Sequence, residues 1–152
     1  MGDWSWLEGE WRVRHRKLRA RFSGCEQWDE FDGTCASRLV LGGAGNVDDN
    51  WIGEPGGAYR ALALRAFDAA SGDWSIWWLD ERFPTTLGVP VKGRFEGGVG
   101  RFAAEDRWGG KPILVRFVWS GITPSAARWE QSFSPDRGAS WESNWVMDFA
   151  RG

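Results

Sequence analysis

The segment Arg128–Phe149, RWEQSFSPDRGASWESNWVMDF, decides the fold class of this chain. On each side of its centre, SPDRG, apolar and polar residues alternate, which is the period-two pattern of a strand with one buried face. The centre combines Pro, Asp and Gly, which are residues that turns favour. The segment therefore predicts a β-hairpin near the end of the chain.

Four residues of this hairpin, Ser134, Asp136, Gly138 and Trp141, fit the pattern S-x-D-x-G-x-x-W. The pattern resembles the Asp-box hairpin of sialidases and other β proteins. We expect Asp136 to hydrogen-bond the backbone of its own turn, Gly138 to take a positive φ and Trp141 to pack under the loop. A propeller would repeat the motif in every blade, whereas this sequence has one good copy. We therefore interpret the motif as a local staple rather than a sugar site.

The bulk properties favour one domain that spans residues 1–152. The 19 Lys and Arg residues nearly balance the 21 Asp and Glu residues, so no net basic field attracts nucleic acid. No apolar run approaches the ~18 residues of a membrane span, and the N-terminal MGDWSWLEGEW lacks an apolar signal core. We expect a cytoplasmic protein with neither a nucleic acid nor a membrane as its partner.

Metal and redox chemistry have few candidate residues in this chain. In a cytoplasmic protein, Cys25 and Cys35 are more often free thiols than a disulfide. His15 is the single histidine and has no Cys/His cluster near it, so we expect no metal site. The 13 tryptophans, in contrast, exceed what one small core normally holds. We expect some of them to line a cavity or an interface.

Clusters of Gly, Pro and Asp divide the chain into stretches of about ten residues, which is the spacing of an all-β meander. The basic residues between Arg12 and Lys17 are interpreted as the solvated face of the first strand rather than as a nucleic-acid patch. We predict ten strands in all: Trp11–Leu18, Gln27–Leu41, Asn46–Ile52, Ala58–Phe67, Asp73–Glu81, Val91–Glu96, Val99–Trp108, Pro112–Ser120 and the two strands of the final hairpin.

Ten sequential antiparallel strands form either a sandwich or a barrel, and we favour an up-and-down barrel. Pairing of the first strand with the last removes the exposed edges. A barrel of slightly more than eight strands has room for side chains and one small ligand in a central cavity. The stretches Ser75–Leu79 and Ile113–Trp119 are apolar on both faces. We therefore expect part of the outer wall to be covered, in a possible homodimer.

The first strand opens with Gly9-Glu10-Trp11, a G-x-W triplet. It resembles the N-terminal signature of lipocalins, in which the Trp closes one end of the barrel and an Arg from near the C-terminus crosses it; Arg151 matches that Arg. Further runs are similar to a bacterial lipocalin-like family of unassigned function, distantly nitrobindin-like: EFDGTC (Glu30–Cys35), WWLDER (Trp77–Arg82), GRFEGGVGRF (Gly93–Phe102) and RWEQSFSPDRGASWESNW (Arg128–Trp145).

The resemblance covers nearly the whole chain and implies a calycin-type barrel with a cavity. It leaves the content of that cavity open, because the superfamily includes fatty-acid carriers, haem-binding nitrobindins and a few cyclases and epimerases. Nitrobindins hold haem through a histidine on a late strand, whereas no histidine follows His15 here. We therefore expect no haem and no other cofactor.

The leading hypothesis is that the barrel binds a small hydrophobic or aromatic molecule between tryptophans. The alternation of side chains along each strand, together with the neighbouring residues, predicts that Trp78, Trp119 and Trp145 line the cavity. Asn144 and Asp148 flank Trp145 and are predicted to orient a polar group of the ligand.

A cofactor-free cyclase, isomerase or hydratase on the same scaffold is the alternative, so whether the chain is an enzyme stays open. Its candidate catalytic residues are Glu130, Asp80 and Arg116. A carboxylate that is desolvated beside tryptophans has a raised pKa and acts as a general acid or base near neutral pH. Arg116 would donate two hydrogen bonds to a carboxylate or enolate.

A second alternative is a homo-oligomeric interaction module whose excess tryptophans form the contact. The hairpin register across SPDRG decides whether Glu130 shares a face with Trp145 or with Asn144. Residue types alone leave that register open.

Overall fold

A computed structural model describes residues 2–152 of the chain. The described residues form ten strands and two 3₁₀ helices. Both ends of each of the eight strands that were predicted with bounds lie within two residues of their predicted positions. The strands are β1 (Gly9–Leu18), β2 (Trp28–Val40), β3 (Gly45–Ile52), β4 (Tyr59–Asp68), β5 (Asp73–Asp80), β6 (Val91–Glu96), β7 (Val99–Trp108), β8 (Lys111–Ser120), β9 (Ala126–Ser134) and β10 (Glu142–Ala150), and the helices are Ser5–Leu7 and Leu41–Gly43.

The sheet closes on itself as an antiparallel up-and-down barrel, as predicted. Each strand pairs with its neighbour in sequence, and β1 pairs with β10 in the order β1-β10-β9-β8-β7-β6-β5-β4-β3-β2. The closing register runs from Arg12 opposite Ala150 to Lys17 opposite Trp145. Closure leaves no strand with an unpaired edge along its whole length, which is the usual solution to the edge problem of a meander.

Side chains alternate between the inside and the outside of the barrel. On β1, Trp11, Val13 and His15 are buried, whereas Arg12 and Arg14 are exposed. The predicted solvated face of this strand is therefore confirmed for these arginines. Lys17 has the same parity as His15 and lines the interior instead.

One end of the barrel, which we call the plugged end, is closed by the segment that precedes β1. Trp4 and Leu7 are fully buried there, and the Trp11 indole N–H donates to the Leu7 carbonyl at 2.7 Å. The Arg151 guanidinium lies 3.7 Å from the Trp11 ring centroid and donates to the Trp6 carbonyl at 2.8 Å. This Trp–Arg arrangement is the one that the G-x-W resemblance predicts, and the barrel is compatible with a lipocalin- or calycin-like fold.

The loop between β9 and β10 is stapled by the predicted residues. The Ser134 hydroxyl donates to Asp136 Oδ1 at 2.8 Å, and the same oxygen accepts from the Ser140 backbone N–H at 2.8 Å. Gly138 has φ +90° and its N–H donates to Ser134 Oγ at 2.7 Å. A Cβ on Gly138 would lie 3.7 Å from the Trp141 ring, so the indole packs against the loop as expected.

A β-bulge decides which side chains of this hairpin point inward. The register shifts between Ser143 and Trp145, so Trp145 lies opposite Gln131 and Val146 opposite Glu130. A bulge inserts one unpaired residue and reverses the alternation that follows it. Trp145 and Gln131 consequently share the inner face, and Glu130 lies on the outer one.

Strand β4 places two alanines and Arg65 inside and its leucines outside. Leu62 and Leu64 are exposed at 39% and 41%, whereas Ala61 and Ala63 are buried at 3%. Ala63 lies opposite Trp78 on β5, so the interior volume beside it is filled by an indole. Close packing leaves no room for a leucine at that position.

Both cysteines are free thiols, as the sequence predicts. Within residues 2–152, none of the helices has the length and apolar character needed to cross a membrane.

Candidate ligand-binding pocket

A pocket of about 290 Å³ lies in the barrel at the end opposite the plug, which we call the pocket end. Apolar side chains from several strands form its walls, and charged side chains gather among the remaining lining residues. The apolar group consists of Trp78, Val89, Val91, Ala104, Val115, Phe117, Trp129, Phe133 and Trp145, and the polar group of Lys17, Arg21, Tyr59, Asp80, Arg82, Asp106 and Gln131. The enclosed central cavity expected from the sequence stays a prediction.

Indole rings make up much of the apolar wall. The Trp145 ring contacts Trp78 at 6.0 Å and 80°, and Trp129 at 5.5 Å and 87°, measured between centroids and planes. Phe117 lies edge-on to Trp129 at 4.9 Å. Edge-to-face packing is the preferred geometry of aromatic pairs. All four rings line the pocket.

Lys17 is an inward-facing cation at this end. Its Nζ lies 2.7 Å from Glu54 Oε1 and 4.4 Å from the centroid of Trp145. Burial lowers the pKa of Lys17, and the hydrogen bond that it donates to Glu54 opposes that change. The ammonium is therefore held by a carboxylate on one side and an aromatic face on the other.

Asp80 and Arg82 form a second ion pair beside the pocket. Arg82 donates through Nε and Nη2 to both oxygens of Asp80, at 3.0 and 2.7 Å, and its guanidinium lies 3.5 Å from the Tyr59 ring centroid. Burial pushes the pKa of Asp80 upward, but the hydrogen bonds and charge of Arg82 outweigh it, and the pKa is lowered. The rise expected from the sequence is thus wrong for Asp80, because Arg82 stabilises the charged carboxylate.

His15 positions one of the pocket tryptophans. The Trp145 indole N–H donates to His15 Nδ1 at 3.0 Å, which places the proton of the neutral ring on Nε2. Burial, with a smaller effect of Lys17, lowers the pKa of His15 to about 4. A Cβ on Gly33 would lie 2.7 Å from His15 Nε2, so a glycine there makes room for the imidazole.

Metal binding is not supported by the geometry. Across residues 2–152, no group of at least three His, Cys, Asp or Glu side chains is arranged to hold an ion.

A smaller space of about 30 Å³ lies towards the plugged end and shares Trp78, Phe117 and Trp129 with the pocket. Beside it, Arg65 forms a buried ion pair with Asp48 at 2.8 Å and donates to Asn46 Oδ1 at 2.6 Å. The volume of this smaller space suits about one water molecule. The three shared rings therefore lie between this smaller space and the pocket.

The structure brings several predicted residues to the barrel interior. Trp78 and Trp145 line the pocket, and Asp80 lies among its polar residues. Trp119 lines the smaller space instead. Asn144 is fully buried, and its Oδ1 accepts from Gln131 Nε2 at 2.8 Å, so it supports a lining residue. Their roles in binding or catalysis stay predictions.

Three predicted residues lie away from both spaces. Glu130 lies on the outer face of β9, opposite Val146. Arg116 lies over the Trp141 ring of the β9–β10 loop at 4.1 Å, and Asp148 pairs with Arg128 at 2.8 Å on an exposed face. The proposed catalytic set of Glu130, Asp80 and Arg116 is therefore not assembled around the pocket.

Sequence reasoning missed several pocket residues, among them Lys17, Arg21, Tyr59 and Gln131. The period-two pattern of β1 does contain a signal for Lys17, since it puts this lysine on the face of His15. Arg21 follows the end of β1, where no periodicity applies.

Comparison with known proteins adds no assignment. No family model matches the chain, and no match is found among curated proteins.

Proposed function

We propose that this protein binds a small hydrophobic or aromatic molecule in the pocket at the pocket end of the barrel. The observation that carries the proposal is the wall formed by Trp78, Trp129 and Trp145, which line a pocket with an apolar floor and a few polar groups. Ligand sites typically combine these two features, and their volumes begin at roughly 300 Å³. The pocket volume of about 290 Å³ favours a ligand of one or two rings.

The barrel architecture supports the same proposal. The plug fills one end with Trp4 and Leu7, so a guest enters from the pocket end. Closed antiparallel barrels of this size have room for one small ligand among their side chains. The ring faces also lie close to ionic groups, which suits a ligand that has an apolar body and one polar group.

Intrinsic tryptophan fluorescence tests the proposal directly. A panel of one- and two-ring aromatics, flavonoids, polyketides and fatty acids is titrated into the protein, and binding quenches or shifts the emission of the wall indoles. Trp78→Phe is expected to weaken binding of a hit about three- to tenfold, because it removes part of one wall. Trp51→Phe, on the exposed outer face, is the matched control and is expected to bind as the wild type does.

A flat fluorescence response to the entire panel, checked by calorimetry, would contradict the proposal. If Trp78→Phe and Trp51→Phe weakened the affinity for the ligand equally, the ligand would bind outside the pocket.

Self-association is a second candidate function, which rests on a different observation. Leu62, Leu64 and Trp51 are exposed and occupy neighbouring positions on the outer face of β3 and β4. Leu79 and Trp77 lie opposite the two leucines on β5 and extend this face. Adjacent exposed apolar side chains, such as these on β3 and β4, are typical of an interface.

Sedimentation velocity tests self-association. A dimer that dissociates in Leu64→Glu, with unchanged far-ultraviolet circular dichroism, would support it. A wild-type monomer at high concentration would rule it out.

A further inference from the structure

The loop between β1 and β2 covers part of the pocket end and presents Arg21 to the pocket. The Phe22 backbone N–H donates to the Glu142 carboxylate at 2.9 and 3.2 Å. The Phe22 ring packs against Trp108 at 5.9 Å and Phe133 at 6.4 Å. These contacts join the loop to three other strands. They hold Arg21 at the pocket lining, with its guanidinium 4.9 Å from the Phe133 ring centroid.

Arg21 differs from the other pocket cations because it lacks an anionic partner. Lys17 is paired with Glu54 at 2.7 Å, and Arg82 with Asp80 at 2.7 Å. Arg21 forms no hydrogen bond or ion pair with any side chain or backbone group of residues 2–152, although it is half-buried.

The acids around Arg21 accept hydrogen bonds from other groups. The Glu142 carboxylate accepts from the Phe22 N–H, and Asp106 Oδ1 accepts from the Arg107 N–H at 2.8 Å. Glu54 and Asp80 are held by the two ion pairs above. In residues 2–152, none of these carboxylates lies within ion-pair or hydrogen-bond distance of the Arg21 guanidinium.

A half-buried guanidinium without a partner loses hydration that no protein group replaces. It offers five N–H donors in a planar fork, and burial lowers the pKa of Arg21 while Glu142 opposes that change. A bound anion that accepts two of these donors would restore the lost interactions, since guanidinium–carboxylate pairs are commonly bidentate.

We infer that the ligand is a small aromatic monocarboxylate, whose carboxylate is bound by Arg21 and whose rings lie against Trp78 and Trp145. This inference rests on the proposed binding function and adds the charge of the ligand to it. A monoanion fits better than a phosphate dianion, because one cation is unpaired while Asp80 and Asp106 line the same pocket. A second negative charge would be repelled by these carboxylates.

Isothermal titration calorimetry with a matched pair of probes tests the inference. The probes are 2-naphthoate and 2-naphthamide, which have the same rings and differ in the charge of one group. At pH 7.5 and fixed salt, the wild type is expected to bind the naphthoate about tenfold more tightly than the amide, the value of one charge-assisted hydrogen-bond pair at a partly solvated site.

Variants assign this preference to one residue. Arg21→Gln is expected to bind both probes equally, at the affinity of the wild type for the amide. Arg19→Gln is the matched control, because Arg19 belongs to the same loop region but pairs with Asp29 at 2.8 Å on an exposed face. It should keep the tenfold preference. Thermal melting confirms that both variants are folded.

The possible outcomes separate the inference from the function on which it rests. Equal binding of both probes by the wild type would overturn the inference and support the proposed function. A preference that survives in Arg21→Gln would overturn the role of Arg21. Absence of binding for both probes would count against the proposed function as well, while loss of the preference in Arg21→Gln alone would support the inference.

Discussion

The plugged end and the pocket end of the barrel use the same residue types in opposite ways. At the plugged end, Arg65 is paired with Asp48, and both side chains are at most 4% exposed. The Arg65 guanidinium also lies 4.3 Å from the Trp4 ring centroid. At the pocket end, Arg21 has no such partner and faces an open space. The Arg65 charge is compensated within the protein, whereas Arg21 forms no ion pair in the described residues.

The tryptophans show the same contrast. Trp4 is surrounded by Trp74, Phe102 and Trp119 at centroid distances of 5.8 to 6.2 Å. Trp78 has an aromatic neighbour on one side and the pocket on the other. The difference teaches that a residue type does not identify a binding site. A binding site is indicated where aromatic surface and charge are left without partners.

Removal of the plug tryptophan should have the largest effect on stability. Trp4→Ala is expected to lower the free energy of unfolding by about 4–5 kcal/mol, because a fully enclosed indole leaves a cavity. Trp78→Ala should cost clearly less, since its ring already borders open space. Urea unfolding monitored by circular dichroism measures both. Equal losses of unfolding free energy in Trp4→Ala and Trp78→Ala would show that the two ends of the barrel are packed equally tightly, against this expectation.

Separation of the buried ion pair is expected to cost slightly less. Asp48→Ala leaves the Arg65 charge without its partner, which costs about 3–4 kcal/mol in urea unfolding. Replacement of both residues, Asp48→Leu with Arg65→Met, should restore part of this loss because no buried charge remains. Asp148→Ala is the control; it breaks the exposed Arg128 pair and should cost less than about 1 kcal/mol. If Asp48→Ala also lowered the free energy of unfolding by less than about 1 kcal/mol, the buried ion pair with Arg65 would be contradicted.

His15 should make stability depend on pH. Its pKa is about 4 in the folded protein, against 6.5 for an unperturbed histidine. The unfolded state therefore binds more protons between pH 6.5 and 4, and stability falls as the pH drops through that range. Below pH 4, the protonation of His15 in the unfolded state is expected to lower the free energy of unfolding by about 3 kcal/mol in total.

Urea unfolding at several pH values measures this dependence. Carboxylates titrate in the lower part of the range, so the quantity to compare is the difference between wild type and His15→Gln. That difference should change between pH 6.5 and 4 and be constant above pH 7.5. A pH-independent difference would show that His15 is not buried as a neutral group beside Trp145.

The staple of the β9–β10 loop is expected to give the smallest effect. Ser134→Ala removes the hydrogen bonds of a fully buried hydroxyl to Asp136 and to the Gly138 N–H, at a cost of about 1–2 kcal/mol. Thr85→Ala, in an exposed loop, is the control and should change stability by less than about 0.5 kcal/mol. This loop lies at the pocket end. Ser134→Ala should therefore lower amide protection in hydrogen exchange at the pocket end and leave the plugged end protected. Uniform loss of protection would contradict that.

Most of the fold was predictable because it depends on local patterns. The alternation in Arg128–Phe149 and the turn residues around Asp136 predict a hairpin, and the structure contains it. The resemblance of the G-x-W triplet to the lipocalin signature implied the contact of Arg151 with Trp11 at the plugged end. These features involve short stretches, or one pair of chain ends that barrel closure brings together.

The candidate site was less predictable because it depends on the facing of single residues. The bulge before Trp145 is one inserted residue, and it places Trp145 opposite Gln131 instead of Glu130. The pKa of Asp80 depends on how Arg82 folds back on it. Arg21 was missed because its environment is made by Phe133 and by the anchoring of Phe22 on other strands.

By itself, the sequence determined an all-β chain of ten short strands, their approximate ends and the chemistry of the final turn, because two-residue periodicity and turn preferences act within a few residues. Only the tertiary structure decided that Ala63 rather than Leu64 faces inward, that Arg65 is paired and that Arg21 is not. The reason is that each of these outcomes depends on the volume and charge of side chains from distant strands, which meet only when the barrel closes.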